Sequence, residues 1–223
     1  MPLSVLTSEF SGELFFDDLT KIIYATDASV YRKLPHGVAY PKTENDIRLL
    51  IQYARDNNTS LIPRTAGTSL AGQCVGDGIV VDVSKYFTKI IAVNKKEQTV
   101  TLQPGVVRDA LNNHLKPYGL FFGPNTSTSN RFMVGGMVGN NSSGTTSIQY
   151  GVTRDKVLEI NAMLSDGSSV VFGEVSAELF QKKMNEKSLE GGIYRTLYEE
   201  LNPESVKNQI LKNFPKSEIH RRN

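Results

Sequence analysis

Cysteine is nearly absent from this chain: Cys74 is the single one in 223 residues, which excludes an intrachain disulfide and a thiolate-ligated metal cluster. Histidine is almost as scarce. His36, His114 and His220 lie far apart and show no metal-ligand spacing, so no metal is expected. Neither sign of charge dominates, since 25 Lys and Arg against 23 Asp and Glu leave a net +2. That balance argues against a nucleic-acid partner or a membrane-attracting face. Basic runs are no longer than the pairs Lys95-Lys96, Lys182-Lys183 and Arg221-Arg222, which read as solvated surface. No apolar run approaches the length of a bilayer span. The opening MPLSVLTSEF also lacks the charged and apolar regions of a secretory signal. A cytoplasmic, reducing setting is expected.

Two nucleotide motifs are missing as well. Gly76-Asp77-Gly78 begins a G-x-G, but no third glycine follows and the next element reads as a strand, against a Rossmann site. No G-x-x-x-x-G-K-S/T occurs, so there is no P-loop.

The order of elements is legible from periodicity. Residues 13–24 carry Leu14, Phe15, Leu19, Ile22 and Ile23 at roughly helical spacing. A stronger helix is expected over 44–56, with Thr43 as N-cap, Asp46 as a near match to the capping box, and Ile47, Leu50, Ile51 and Ala54 inward. Residues 60–64 and 79–83 read as apolar strands. Residues 89–93 and 99–103 read as two strands joined by a polar turn. An amphipathic helix over 106–115 ends at Pro117 and Gly119. Residues 157–164 and 169–172 read as strands joined through Asp166-Gly167, and 176–188, 193–201 and 204–213 read as helices. The fold class is therefore α+β, with a seam near 79–90 between an early βαβ lobe and a later mixed lobe.

Three loops (64–73, 123–130 and 135–144) combine glycine or proline with Ser, Thr or Asn. Such loops offer backbone N–H and hydroxyl donors without formal negative charge, as an anion site requires. The third is the densest: Gly135-Gly136-Met137-Val138-Gly139-Asn140-Asn141-Ser142-Ser143-Gly144 leaves only Met137 and Val138 to bury apolar surface. Ordering so many glycines is entropically expensive, and close approach of backbone to a ligand is one compensating reason. Arg64 either adds a charge-assisted contact or pairs with a surface carboxylate.

Pro63-Arg64-Thr65-Ala66-Gly67-Thr68-Ser69-Leu70-Ala71-Gly72-Gln73 resembles the pyrophosphate loop of the FAD-linked oxidases of the vanillyl-alcohol oxidase (PCMH-type) superfamily. Val80-Val81-Asp82-Val83-Ser84, Gln103-Pro104-Gly105, 121–130, 134–144, Tyr150-Gly151 and Asp166-Gly167 follow in the family order, so the likeness runs from about Tyr24 to Gly167. Within the superfamily, Tyr24-Ala25-Thr26-Asp27-Ala28-Ser29-Val30-Tyr31, Thr68-Ser69-Leu70-Ala71-Gly72-Gln73 and 136–144 look most like the D-lactate/glycolate/D-2-hydroxyglutarate dehydrogenase branch. The members most similar are long ones that fuse a flavin half to an iron–sulfur half.

The resemblance implies a PCMH-type FAD-binding domain of two α/β subdomains, a small βαβ lobe (about 37–88) and a larger mixed-sheet lobe with helices (about 89–223), after an N-terminal helical segment over 1–36. It implies oxidation of a D-2-hydroxy acid to the 2-oxo acid, with hydride transfer to flavin N5. The cofactor-binding residues it implies are Arg64, Thr65, Ala66, Gly67, Thr68, Ser69, Leu70 and Gln73 in the first loop and Pro124, Asn125, Thr126 and Ser129 in the second. Gly135, Gly136, Gly139, Asn140, Asn141, Ser142 and Gly144 follow in the third, then Tyr150 and Gly151. Thr68 stands where many members carry the histidine that links FAD covalently, so non-covalent FAD is implied; Thr65 and Ala66 replace two usual glycines.

In the family, the flavin domain resumes after an Arg-Arg-Asn segment and a substrate cap follows. Here that segment is Arg221-Arg222-Asn223, which implies a fragment without the cap, with weak FAD binding and an apolar edge that invites dimerisation. Any iron–sulfur cluster, respiratory electron acceptor or peripheral attachment to an inner membrane belongs to a full-length protein. No catalytic base is assigned; His114 sits at helical spacing beside Leu111 and Leu115, and Cys74 reads as a small filler. Tyr150 either stacks on flavin or packs under Gly144. Two alternatives stay open: another flavoenzyme of this fold, such as a molybdenum-hydroxylase flavin subunit or an enolpyruvyl reductase, and a non-catalytic FAD- or nucleotide-binding module.

Overall fold

A computed structural model of the chain describes residues 1–214. The polar tail expected to end at Arg221-Arg222-Asn223, with His220, lies outside the described residues. The chain divides into two compact units, Met1–Lys156 and a second beginning at Val157. The sequence seam near 88–89 falls inside the first of these.

The first unit is built on a four-stranded sheet of order β1-β2-β4-β3. β2 (Gly37–Tyr40), β4 (Ile79–Asp82) and β3 (Leu61–Arg64) run parallel, and β1 (Glu13–Phe15) joins antiparallel to β2. β4 is buried along its whole length, as its unbroken Ile-Val-Val run demands of a strand covered on both faces. Pro63 is tolerated because β3 is an edge strand and needs no inter-strand donor on its open side.

The helical reading of 13–24 needs correction. Glu13–Phe15 form β1, and the helix α2 starts only at Asp18, because Asp17 caps it: its Oδ1 accepts the Thr20 N–H at 2.9 Å. The segment 1–36 is therefore not wholly helical; besides α1 (Leu3–Glu9) and α2 (Asp18–Tyr24) it supplies a sheet strand. α3 (Glu44–Asp56) carries the expected capping box in full. Thr43 Oγ1 accepts the Asp46 N–H at 3.1 Å, and Asp46 Oδ2 accepts the Thr43 N–H at 3.0 Å. Asp46 is fully buried and also accepts from the backbone of Ser11 and Lys42, each at 2.8 Å. The inward face is rotated from expectation: Leu49 and Tyr53 are buried with Leu50, Ile51 and Ala54, while Ile47 is half-buried. With Leu6, Phe10, Ala39, Ile79 and Val81, α3 packs a core on the sheet.

Next in the same unit, β5 (Ile90–Asn94) and β6 (Thr99–Leu102) form the expected hairpin. α4 (Arg108–Leu115) seals it through Leu111 and Leu115, together with Val106 just ahead of the helix. The glycine-rich third loop is partly helical: 134–139 form α5 (Val134–Gly139), anchored by the buried Met137. Another short helix, α6 (Ser147–Tyr150), and a 3-10 turn (Thr153–Lys156) complete the unit.

The second unit contains the hairpin β7 (Glu159–Met163) and β8 (Ser169–Gly173), followed by α7 (Ala177–Met184), α8 (Leu189–Leu201) and α9 (Glu204–Asn213). Gly167 holds the hairpin turn at φ +85°, and Phe180 packs edge-on against Tyr194. Among the described residues, no helix is long and apolar enough to cross a membrane.

Candidate functional site

The first loop leaves the C-terminal end of β3. Arg64 ends that strand, donates from Nη1 to the Thr26 carbonyl at 2.8 Å, and lies over the Tyr24 ring at 4.9 Å. The turn above it is left-handed at Gly67, φ +64°, and a Cβ there would come within 2.4 Å of Arg64 Nη2. Arg64 is thus a brace beneath the loop, a role the sequence did not suggest. The Ala28 N–H donates to the Gly67 carbonyl at 3.2 Å, tying the loop to the Asp27-Ala28 segment.

With its carbonyl fixed downward, the loop leaves its donors unspent. None of the backbone N–H groups from Thr65 to Leu70 finds an acceptor among the described residues. Successive free N–H groups in a loop with a left-handed residue form a concave site for anionic oxygens. Ser69 Oγ accepts the Ala71 N–H at 3.1 Å and donates to Gln73 Oε1 at 2.9 Å, so the loop closes through its own side chains.

The second loop hangs from α4. Asn112 pins Phe122 at both backbone groups, accepting its N–H at 2.7 Å and donating to its carbonyl at 3.2 Å. Asp109 holds Ser129 through its hydroxyl at 2.9 Å. Pro124 is fully buried, and next to it Asn125 Oδ1 is buried with no hydrogen-bond donor among the described residues. Arg108 Nε is likewise unpartnered, although Nη1 reaches Asp109 and Nη2 the Phe122 carbonyl.

The third loop spends its backbone internally. Gly135 N–H donates to Pro104, Ser142 N–H to Met137 and Gly144 N–H to Ser147 Oγ, at 2.8 to 3.0 Å. The Ser142 carbonyl accepts from the buried Thr153 hydroxyl at 2.6 Å. The Tyr150 ring meets Phe121 edge-on at 5.1 Å, and its Cβ lies against Gly123. Gly151 turns the chain at φ +77° into the 3-10 segment.

The three loops meet. Gln73 Nε2 donates to Asn140 Oδ1 at 3.1 Å, and Asn140 Nδ2 donates to Ser142 Oγ at 3.0 Å, joining the first loop to the third. Gly136 faces Thr65 so closely that a Cβ would lie 2.7 Å from Oγ1. On the other side, a Cβ on Gly144 would fall 1.8 Å from the Asn125 carbonyl oxygen, so the second loop touches the third backbone to backbone. Thr68 and Thr126 are half-buried and Leu70 is exposed. Gly139 stands in open space, and Asn141 takes φ +45°.

A cleft of about 470 Å³ lies at the C-terminal ends of the three parallel strands, whose last residues Tyr40, Arg64 and Asp82 line it with Glu13, Tyr24 and Lys85. It shares Arg64, Thr65 and Ala66 with the first loop and none of its lining with the other two. Tyr24 OH donates to the buried Asp82 at 2.6 Å; burial and that carboxylate push the phenol well above its ordinary range. Sequence reasoning missed this cluster, although ligands gathering at the C-terminal ends of parallel strands is a usable signal. Cys74 is buried with Sγ 3.6 Å from Asp27 Oδ2, and burial pushes its thiol up. His114 is exposed beside Tyr118. No group of three or more His, Cys, Asp or Glu that could hold a metal occurs among the described residues.

A row of uncharged N–H donors above a left-handed turn, hydroxyl-rich walls and a buried carbonyl oxygen fit a nucleotide bearing a pyrophosphate and a polyol. The comparisons agree. Residues 35–173 match the family described as FAD binding domain. The chain is 36% identical over 210 residues to the D-2-hydroxyglutarate dehydrogenase of Escherichia coli (strain K12), covering 93% of this chain and 20% of that protein. It is 43% identical over 163 residues to the D-2-hydroxyglutarate dehydrogenase of Pseudomonas putida (strain KT2440), covering 72% and 16%. The chain thus spans a fifth or less of the length of these curated relatives. Among solved structures, an alkyldihydroxyacetonephosphate synthase superposes with a TM-score of 0.69 at 20% identity, over 78% of this chain and 35% of that one, which shows the shared fold.

Proposed function

The chain belongs to the FAD binding domain family, and from that premise we propose that it forms the dinucleotide-binding part of a flavin-dependent dehydrogenase oxidising D-2-hydroxy acids to 2-oxo acids. The observation that carries the binding half of this reading is the unspent row of N–H groups from Thr65 to Leu70, held open by Gly67 and the Arg64 brace. Those groups hold the pyrophosphate. The second and third loops, fixed to the first through Gln73 and Asn140, wall the rest of the nucleotide. Thr68 leaves attachment non-covalent. When bound, FAD supplies the two-electron acceptor; the protein binds it, orients it and shields it from water.

The substrate half of the reading rests on the relatives named D-2-hydroxyglutarate dehydrogenase, so D-2-hydroxyglutarate is the first substrate to test, ahead of D-lactate and glycolate. In the whole protein, anaerobic addition of each acid should bleach the flavin band for at least one. Unchanged absorbance with all three overturns the dehydrogenase reading. In the 223-residue chain, flavin fluorescence titrated with protein should quench to saturation, and no change up to high protein concentration overturns FAD binding.

A further inference from the structure

The segment 24–31 forms none of the nucleotide walls described above, yet it grips the first loop at several points. Thr26 accepts Arg64 Nη1 on its carbonyl at 2.8 Å, and Ala28 N–H donates to the Gly67 carbonyl at 3.2 Å. The Tyr31 ring lies where a Cβ on Gly72 would come within 2.7 Å of it. Tyr24 adds two contacts of another kind. The Arg64 guanidinium rests over its ring at 4.9 Å, and its hydroxyl donates to Asp82 Oδ2 at 2.6 Å.

Arg64 and Asp82 end neighbouring parallel strands and are register partners, one strand spacing of about 4.8 Å apart. Opposite charges so placed attract, and Asp82 is buried, where a carboxylate without a cation is costly. Among the described residues, however, neither of them makes an ion pair. Asp82 is served instead by the Tyr24 hydroxyl and, on Oδ1, by the Ser84 N–H at 2.7 Å. Lys85, the other cation lining the cleft, is held by Glu13 at 2.6 Å. Burial and Asp82 keep the Tyr24 phenol protonated, so it remains a donor.

We propose that Tyr24 is a positioning residue for the first loop, its ring holding the Arg64 guanidinium beneath Gly67 and away from Asp82. The proposal rests on the reading of Thr65 to Leu70 as the pyrophosphate site. Without the ring, Arg64 has no stacking partner and a buried carboxylate within reach. It then leaves the Thr26 carbonyl, and the turn at Gly67 loses its brace. The phenol hydroxyl serves Asp82 rather than the loop.

The test compares the FAD affinity of the 223-residue chain, read by flavin fluorescence quenching, across Tyr24→Phe, Tyr24→Leu and Tyr24→Leu combined with Asp82→Asn. Tyr24→Phe keeps the ring, so its thermal midpoint falls while FAD binding stays within about twofold of the parent. Tyr24→Leu binds FAD about tenfold more weakly. Adding Asp82→Asn removes the competing charge, still accepts the Ser84 N–H, and restores affinity to within about threefold of the parent. A packing role for Tyr24 gives instead a double variant that binds no better than Tyr24→Leu, and that result overturns the proposal. So does an equal loss in Tyr24→Phe, and so does undiminished binding by Tyr24→Leu. If leucine prevents folding, Tyr24→Met with and without Asp82→Asn carries the same comparison. Absence of FAD binding by the unsubstituted chain defeats the reading beneath; binding without rescue defeats only this inference.

Discussion

The first and third loops look alike in sequence and do opposite things. In the first, Gly67 is left-handed and its neighbours' N–H groups meet no acceptor among the described residues. In the third, none of the four glycines has a positive φ, and the N–H groups of Gly135, Ser142 and Gly144 are satisfied internally. Three of them sit where a Cβ would strike Pro104, Thr65 or Asn125. Glycine serves conformation in one loop and close packing in the other. The denser run is thus the frame, and the sparser loop presents the donors.

Substitutions can break that contrast. Gly144→Val forces a side chain into the Asn125 carbonyl and should cost about 3 kcal/mol of stability in denaturant unfolding. A loss under about 1 kcal/mol would show the contact to be soft. Gly67→Ala should cost less, about 1–2 kcal/mol for a left-handed alanine, yet weaken FAD binding at least tenfold as the loop shifts off Arg64. The division of labour predicts that ordering: the frame variant loses more stability, the donor-loop variant more affinity per unit of stability.

Gln73→Leu removes the hydrogen bond to Asn140 and should weaken FAD about fivefold at a nearly unchanged thermal midpoint. Gly139→Ala, in open space, should change stability by no more than about 0.5 kcal/mol, which makes it the control for its crowded neighbours. Smallest in effect, the Cys74 thiol next to the first loop is buried and its ionisation pushed up, so alkylation of the native chain should rise only at pH above the ordinary thiol range. Unfolding should remove that lag.

Much of this was legible because local pattern and tertiary context agree. The Ile-Val-Val run of β4, the polar turn between β5 and β6, Asp166-Gly167, and the Thr43–Asp46 box each carry their own signal. The order of the three loops was readable, and so was their likeness to FAD-linked oxidases. β1 was not, since three residues form a strand only by pairing with Tyr40, Ala39 and Val38 far along the chain. α5 was hidden for a similar reason. Its glycines disfavour a helix, and burial of Met137 and the Gly135–Pro104 bond override them. The Gln73–Asn140 bridge and the Tyr24–Asp82 pair join residues 67 and 58 positions apart, which no local pattern announces.

The central claim is that residues 65–70, not 135–144, present the anion-binding N–H groups. Backbone amide chemical shifts of the isotope-labelled chain, followed while inorganic pyrophosphate and then FAD are added, test it directly. The account predicts saturable downfield proton shifts at Thr65 to Leu70, with much smaller changes at Gly135, Ser142 and Gly144. Large shifts in the third loop with a silent first loop would contradict it.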